Sequence, residues 1–187
     1  MSILPIDTGR YGTKEMLDIF REQKKIDYQL DIEAAAALSQ SEIGLIPASI
    51  AKDISRIAKS GKITAKRIKQ LEAKSDHDTA ALVEALAEKC NKKSRPWIHY
   101  GLTSNDLVDT SNSMQMRDAI KIIQPKVSKL SLILAKNAVK HRSVPAVGRT
   151  HGQHASIISF GLKFANWASE MSTHLERLDE IKKRVLI

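Results

Sequence analysis

From Ser104 to His141 the chain carries a single proline, Pro125, and no glycine, and from Ala155 to Ile187 it carries one glycine, Gly161, and no proline. Chain so poor in breakers, with Leu, Ile, Val and Ala recurring through it, is expected to be helical over most of its length. Ser104 or Asn105 is expected to cap the first helix, with Pro125 kinking or restarting it. In the second, Ile158, Leu162, Ala165 and Ala168 are expected to share one face. A helix of about 30 residues cannot cover its own apolar stripe and needs other helices against it. These two stretches therefore point to a long-helix bundle.

The rest of the chain agrees. Hydrophobic residues make up 42% of the sequence but aromatics only 4%, so a core must be built from aliphatic side chains, which suits helices better than a sheet sandwich. Residues 1–12 read as irregular, with Pro5, Gly9 and Gly12 as breakers. Thr13 caps an expected helix through Gln40, with Met16, Leu17, Phe20 and Leu30 on its apolar side. Further helices are expected from Pro47 to Ser60, after Thr64, and from Thr79 to Cys90. The fold class is all-α.

Several classes fall away. Cys90 is the single cysteine, which excludes an internal disulfide framework and multi-cysteine metal sites. The first residues, MSILPIDTGRYG, do not resemble a secretory signal, and no apolar run approaches the roughly 20 residues of a membrane span. A cytoplasmic protein without membrane partners is the expectation. The formal charge of +9 suggests anionic partners. The lysines, however, are spread along helix faces beside carboxylates, and no zinc-finger spacing or RNP-like aromatic motif occurs, so nucleic acid is not the expected partner. A small anionic substrate suits the charge.

Four polar, non-periodic segments each precede a helix: Arg10-Tyr11-Gly12, Ser75-Asp76-His77-Asp78-Thr79, His99 to Asp106, and GRTHGQHA at 148–155. A helix N-terminus presents free N–H groups and partial positive charge, which suits carboxylates and phosphates. Each segment has a plainer explanation. Thr103, Ser104 and Asp78 can be helix caps, and His99 beside Trp97 and Tyr100 can be a packed loop residue. His151 and His154 at i,i+3 could face a metal together, but no carboxylate or cysteine nearby completes a zinc set. Acid–base work is the better use of an imidazole, which titrates near pH 6.5.

Taken together, the segments RYG at 10–12, HD at 77–78, HYGLTSNDLVDTS at 99–111 and GRTHGQHA at 148–155 resemble the adenylosuccinate lyases of the fumarase/aspartase superfamily. Argininosuccinate lyase and fumarase are less similar, since they usually carry leucine where Gly152 stands and a different lead into Asn-Asp. The muconate-cycloisomerizing relatives usually carry an aromatic residue in place of His151. The resemblance implies β-elimination of fumarate from adenylosuccinate to give AMP, and the same step on the succinylated aminoimidazole carboxamide ribotide, with no metal or organic cofactor.

By the same resemblance His151 is the general acid to the leaving nitrogen. Thr103 and Ser104, aided by Thr150, bind the succinyl carboxylates, and Arg10 and Tyr11 hold the nucleotide phosphate. His77 and Asp78 line the site and orient both substrate and His151. Asp76 stands where bacterial relatives often have a basic residue, and His154 is structural or in support. The family's catalytic serine lies on a loop of the form SSxMPxKxNP, which is absent here. The implied assembly is a homotetramer whose active sites draw on three subunits. Residues 1–104 would form an N-terminal helical domain and 105–187 the first part of the central bundle. The apolar ending Val185-Leu186-Ile187 fits a truncated chain, expected to be inactive alone. The competing expectation is a non-catalytic helical interaction protein.

Overall fold

The computed structural model describes residues 11–185, so Arg10 and the final Leu186 and Ile187 lie outside the described residues. Seven α-helices and one two-stranded sheet follow in the order α1 (Lys14–Phe20), α2 (Glu22–Glu42), α3 (Ala48–Ala58), α4 (Ala65–Ser75), α5 (Asp78–Lys89), α6 (Ser104–Lys140), β1 (Pro145–Thr150), β2 (Gln153–Ser159) and α7 (Phe160–Val185). A 3₁₀ turn at Arg95–Trp97 interrupts the connection from α5 to α6. The helical class is as expected. The described chain divides into two compact units, one ending at Met116 and the other beginning at Arg117.

In the first unit α2 packs along α3, and α4 along α5. Ile26, Leu30, Ala34 and Ala37 recur at helical spacing on α2 and are buried against Ala51, Ile54 and Ile57 of α3 and Ala81, Leu82, Ala85 and Leu86 of α5. Leu107 from the first turns of α6 enters the same core. Each fully buried Leu or Ile among these contributes about 1.5–3 kcal/mol through loss of water contact, and each Ala less.

Polar side chains tie the helix ends to this core. Gln23 on α2 accepts the N–H of Ala65 at 2.8 Å and donates to the carbonyl of Ile63 at 3.0 Å, satisfying groups at the start of α4. The buried carboxylate of Asp53 accepts from the N–H of Asn91 at 2.9 Å and the hydroxyl of Ser94 at 2.8 Å, and pairs with Arg56 at 2.6 Å. Burial pushes this carboxyl up, but the three donors outweigh it and hold the group below its ordinary range. Gln115 donates to the carbonyl of Ile19 at 2.9 Å, joining α6 to the end of α1.

Four expectations need correction. The helix begun at Thr13 breaks at Arg21, whose extended backbone (φ −62°, ψ 142°) separates α1 from α2, and Phe20 at the break is exposed rather than on an inner face. Helix α6 continues through Pro125, which removes the restart from the two outcomes expected of that proline. Proline removes one N–H and leaves one carbonyl a turn earlier without its helical partner, a cost the rest of the helix absorbs. Thr103, not Ser104 or Asn105, stands before the first helical residue of α6. Finally, the segment between the long helices is a β-hairpin rather than an irregular loop, so helix α7 starts at Phe160 and Ile158 belongs to a strand.

Candidate active site

The sharp turn between α4 and α5 is made by Asp76 and His77. Asp76 adopts a left-handed backbone (φ 52°) and its N–H returns to the carbonyl of Glu72 at 2.8 Å, closing α4. His77 is extended and caps α5: its Nδ1 accepts the N–H of Ala80 at 3.2 Å. That bond requires an unprotonated Nδ1, so the neutral ring carries its hydrogen on Nε2, which becomes a donor on an exposed side chain. The sequence suggested Asp78 as a cap. Asp78 instead begins α5 and accepts from its neighbour Thr79, at 2.7 Å from the N–H and 3.3 Å from the hydroxyl.

The start of α6 is anchored from α2. The carboxylate of Glu33, 2% exposed, accepts from the backbone N–H of His99 at 3.0 Å and lies 2.6 Å from its Nδ1. Two turns further along α2, Gln40 donates to the carbonyl of Tyr100 at 2.6 Å. His99 has a positive φ of 61° and Gly101 one of 71°, so the chain turns sharply just before the helix. Trp97 and Tyr100 pack their rings 5.2 Å apart. His99 is thus a packed loop residue, the plainer of its two readings.

At Thr103 the helix is capped by half of a reciprocal pair. Its N–H donates to the carboxylate of Asp106 at 2.8 Å, three residues on, but its hydroxyl takes no part. Neither the Thr103 nor the Ser104 hydroxyl bonds to another described residue. Both stand at a helix N-terminus beside unused backbone donors, where a carboxylate is favoured. No hydrogen bond or ion pair among the described residues joins this segment to His77 and Asp78. Tyr11, in the part of the RYG segment that is described, is exposed.

In the second unit β1 and β2 pair antiparallel, with Thr150 opposite Gln153 and Arg149 opposite His154. His151 and Gly152 alone form the turn, with φ of 51° and 75°. A two-residue hairpin loop matches the twist of its strands when both central residues have positive φ, which Gly152 adopts freely and His151 only under some strain. Nothing lies within 4 Å of a Cβ added at Gly152, so that glycine serves the turn's backbone and not close packing. Gly148 differs. A Cβ there would stand 2.8 Å from the carbonyl oxygen of Ser156, at the point where the register slips. Thr150, His151 and His154 are exposed, and the His151 ring has no hydrogen-bond partner among the described residues.

The second unit carries an imidazole without a described partner on a tight turn, and the first unit, taken by itself, carries an exposed imidazole with its Nε2–H unused and two unused hydroxyls at a helix start. Such groups suit proton transfer to, and binding of, a carboxylate-bearing molecule. No group of three or more histidine, cysteine or acidic residues able to hold a metal occurs among the described residues. Sequence reasoning passed over Glu33. The visible signal was a carboxylate set inside the apolar run DIEAAAAL, where a charge on a buried face must have a partner.

The chain is similar to several known proteins. Over the whole chain, the adenylosuccinate lyase of Methanocaldococcus jannaschii is 44% identical and that of Methanothermobacter thermautotrophicus 42% identical, the chain covering 40% and 41% of their lengths. The crystal structure of a fumarate lyase from Mesorhizobium sp. BNC1 superposes with a TM-score of 0.86 at 32% identity, covering 94% of this chain and 42% of that one. The chain thus spans about two-fifths of the length of the curated relatives it matches. A family model described as lyase matches residues 9–187, and the chain belongs to that lyase family, within the fumarase/aspartase superfamily.

Proposed function

We propose that this chain is the N-terminal portion of an adenylosuccinate lyase, which releases fumarate from adenylosuccinate to give AMP and from the succinylated aminoimidazole carboxamide ribotide. The observation that carries the reading is the unpartnered His151 at its two-residue turn, within a sequence 44% identical over its full length to an adenylosuccinate lyase. In the proposed reaction a base supplied by the rest of the protein removes the proton beside a succinyl carboxylate. The electron pair left behind forms the new carbon–carbon double bond, the carbon–nitrogen bond breaks, and His151 protonates the departing nitrogen.

Thr103 and Ser104, with Thr150, hold the carboxylates while negative charge spreads onto them. His77 orients the substrate through its Nε2–H, with Asp78 and Asp76 beside it. Arg10 and Tyr11 take the phosphate. The step needs no metal or organic cofactor. The boundary we propose between the helical domain and the bundle lies near residue 104.

The active sites are proposed to form in a cytoplasmic homotetramer. From Arg117 onward, Ala119, Ile120 and Gly161 are the buried residues among those described, while Leu130, Leu132, Ile133, Val139, Leu162 and Trp167 are exposed. A helical unit with so small a core gains its stability by association. No described helix is long and apolar enough to cross a membrane.

The test is fumarate release by the full-length protein. Adenylosuccinate should be cleaved and argininosuccinate should not, and residues 1–187 alone should be inactive for want of the base. Full-length protein that leaves adenylosuccinate intact would overturn the assignment.

A further inference from the structure

Helix α2 carries Glu33 and Gln40 seven residues apart, two turns along one face, about 10 Å along the axis. From that face Glu33 takes both the N–H and Nδ1 of His99, and Gln40 takes the carbonyl of Tyr100. The chain between these anchors and Ser104, the first residue of α6, includes two positive-φ residues, His99 and Gly101. Backbone of that shape persists when its surroundings hold it. Glu33 is the principal clamp. It is 2% exposed, whereas the bond from Gln40 is open to solvent.

A structural ion pair could explain the burial of Glu33, but not where its bonds go. Both fall on His99, four residues before Thr103, and one of them engages the backbone N–H itself. From this geometry we infer that Glu33 is a positioning residue. It holds the loop His99–Thr103 so that the unused hydroxyls of Thr103 and Ser104 keep one orientation toward a carboxylate ligand. This inference rests on the lyase reading for the identity of that ligand and on the structure for the clamp.

Glu33→Gln in the full-length protein separates the two. The amide keeps the size of the carboxylate but has one acceptor oxygen and no charge, so the charge-assisted grip is lost and both contacts survive only if the His99 ring takes its other tautomer. Backbone amide exchange over His99–Thr103 should rise about tenfold or more while amides in the middle of α2 and α5 keep their protection. The Michaelis constant for adenylosuccinate should rise about tenfold with kcat changed less than about threefold, because binding rather than chemistry is loosened. Glu33→Asp, which restores two acceptor oxygens, should recover part of the loss.

Unchanged exchange in the loop would overturn the clamp. Faster loop exchange with an unaltered Michaelis constant would overturn the functional role. Loss of protection throughout α2 and α5 would show a general structural role and also overturn it. Wild-type protein that releases no fumarate would sink the lyase reading alone, and the exchange comparison would then decide the clamp by itself.

Discussion

Gly161, at the start of α7, has no room for a side chain: the backbone nitrogen and Cα of Arg142 both stand 2.9 Å from where its Cβ would be, and the carbonyl of Ala138 is closer still. Its own N–H donates to the carbonyl of His141 at 3.1 Å, so the end of α6 and the start of α7 meet backbone to backbone. Gly161→Ala should therefore force the helices apart and destabilise the protein by about 1–3 kcal/mol, in the range of overpacked cores. Chemical denaturation would read this as a lowered midpoint, and an unchanged midpoint would mean that the helix ends give way freely.

Asp53 predicts a dependence on acid. Its carboxyl is held below the ordinary range by Ser94, Asn91 and Arg56 against the effect of burial. A depressed folded-state value stabilises the protein above the unfolded-state value, near pH 4, and that contribution is lost as pH falls through the folded value. Asp53→Asn should cost about 1–3 kcal/mol at neutral pH, because an amide cannot satisfy all three donors. The difference between variant and wild type should shrink below about pH 4. Denaturation series at several pH values test both statements.

Cys90 should resist thiol reagents in the folded protein. Burial, with the charge of Asp53 nearby, pushes its thiol up to about 11, so little thiolate is present at neutral pH. Labelling should be slow in buffer and rapid in denaturant. Equally fast labelling in both would show that the α5 end opens readily.

His77 can be examined by separating its cap from its ring. His77→Ala should lose about 1 kcal/mol of stability with the α5 cap, whereas His77→Asn should keep most of it, since asparagine is a good N-cap. If the imidazole acts on substrate, both variants should lose turnover in the full-length enzyme. Normal turnover in His77→Asn would leave the residue a purely structural cap.

His151→Ala should reduce fumarate release by about two to four orders of magnitude, the usual worth of a positioned acid, with little effect on stability because the ring touches no described partner. Gly152→Ala acts differently. It places a side chain at φ 75° with open space around it, so the cost is backbone strain of about 1–2 kcal/mol in the hairpin. Turnover and thermal stability measured together distinguish the two.

The helices were readable because their signal is local, set by spacing within one stretch of chain. Of the apolar side expected at Met16, Leu17, Phe20 and Leu30, however, only Leu30 enters the core, beside Ile26, Ala34 and Ala37, because the break at Arg21 resets the face. The cap at Thr64 was equally plain, its hydroxyl accepting the N–H of Arg67 at 3.3 Å. The hairpin was harder, because His-Gly is not among the usual positive-φ turn pairs and the exposed strands around it, with Ile157 open to solvent, lack a clean alternation. The polar segments themselves stood out in the sequence. Which hydroxyls stay unused, and which ring nitrogen of His77 is occupied, depend on contacts three residues away and on rotamers that spacing does not specify. The partner of His99 was further out of reach, lying 66 positions upstream.

The slip at Gly148 has a consequence for the length of the turn. Pro145, Ala146 and Val147 pair with Ser159, Ile158 and Ile157, and that register, carried on unbroken, would set Thr150 opposite His154. His151, Gly152 and Gln153 would then bulge out together as a slack triplet. Because Ala155 and Ser156 both face the lone Gly148, one residue of β2 is used up early and Thr150 meets Gln153 instead. Gly148 and His151 are in this sense two ends of one ruler. A change that closed the slip without removing a residue, even with every residue of the GRTHGQH segment left intact, would unhitch the histidine from its turn.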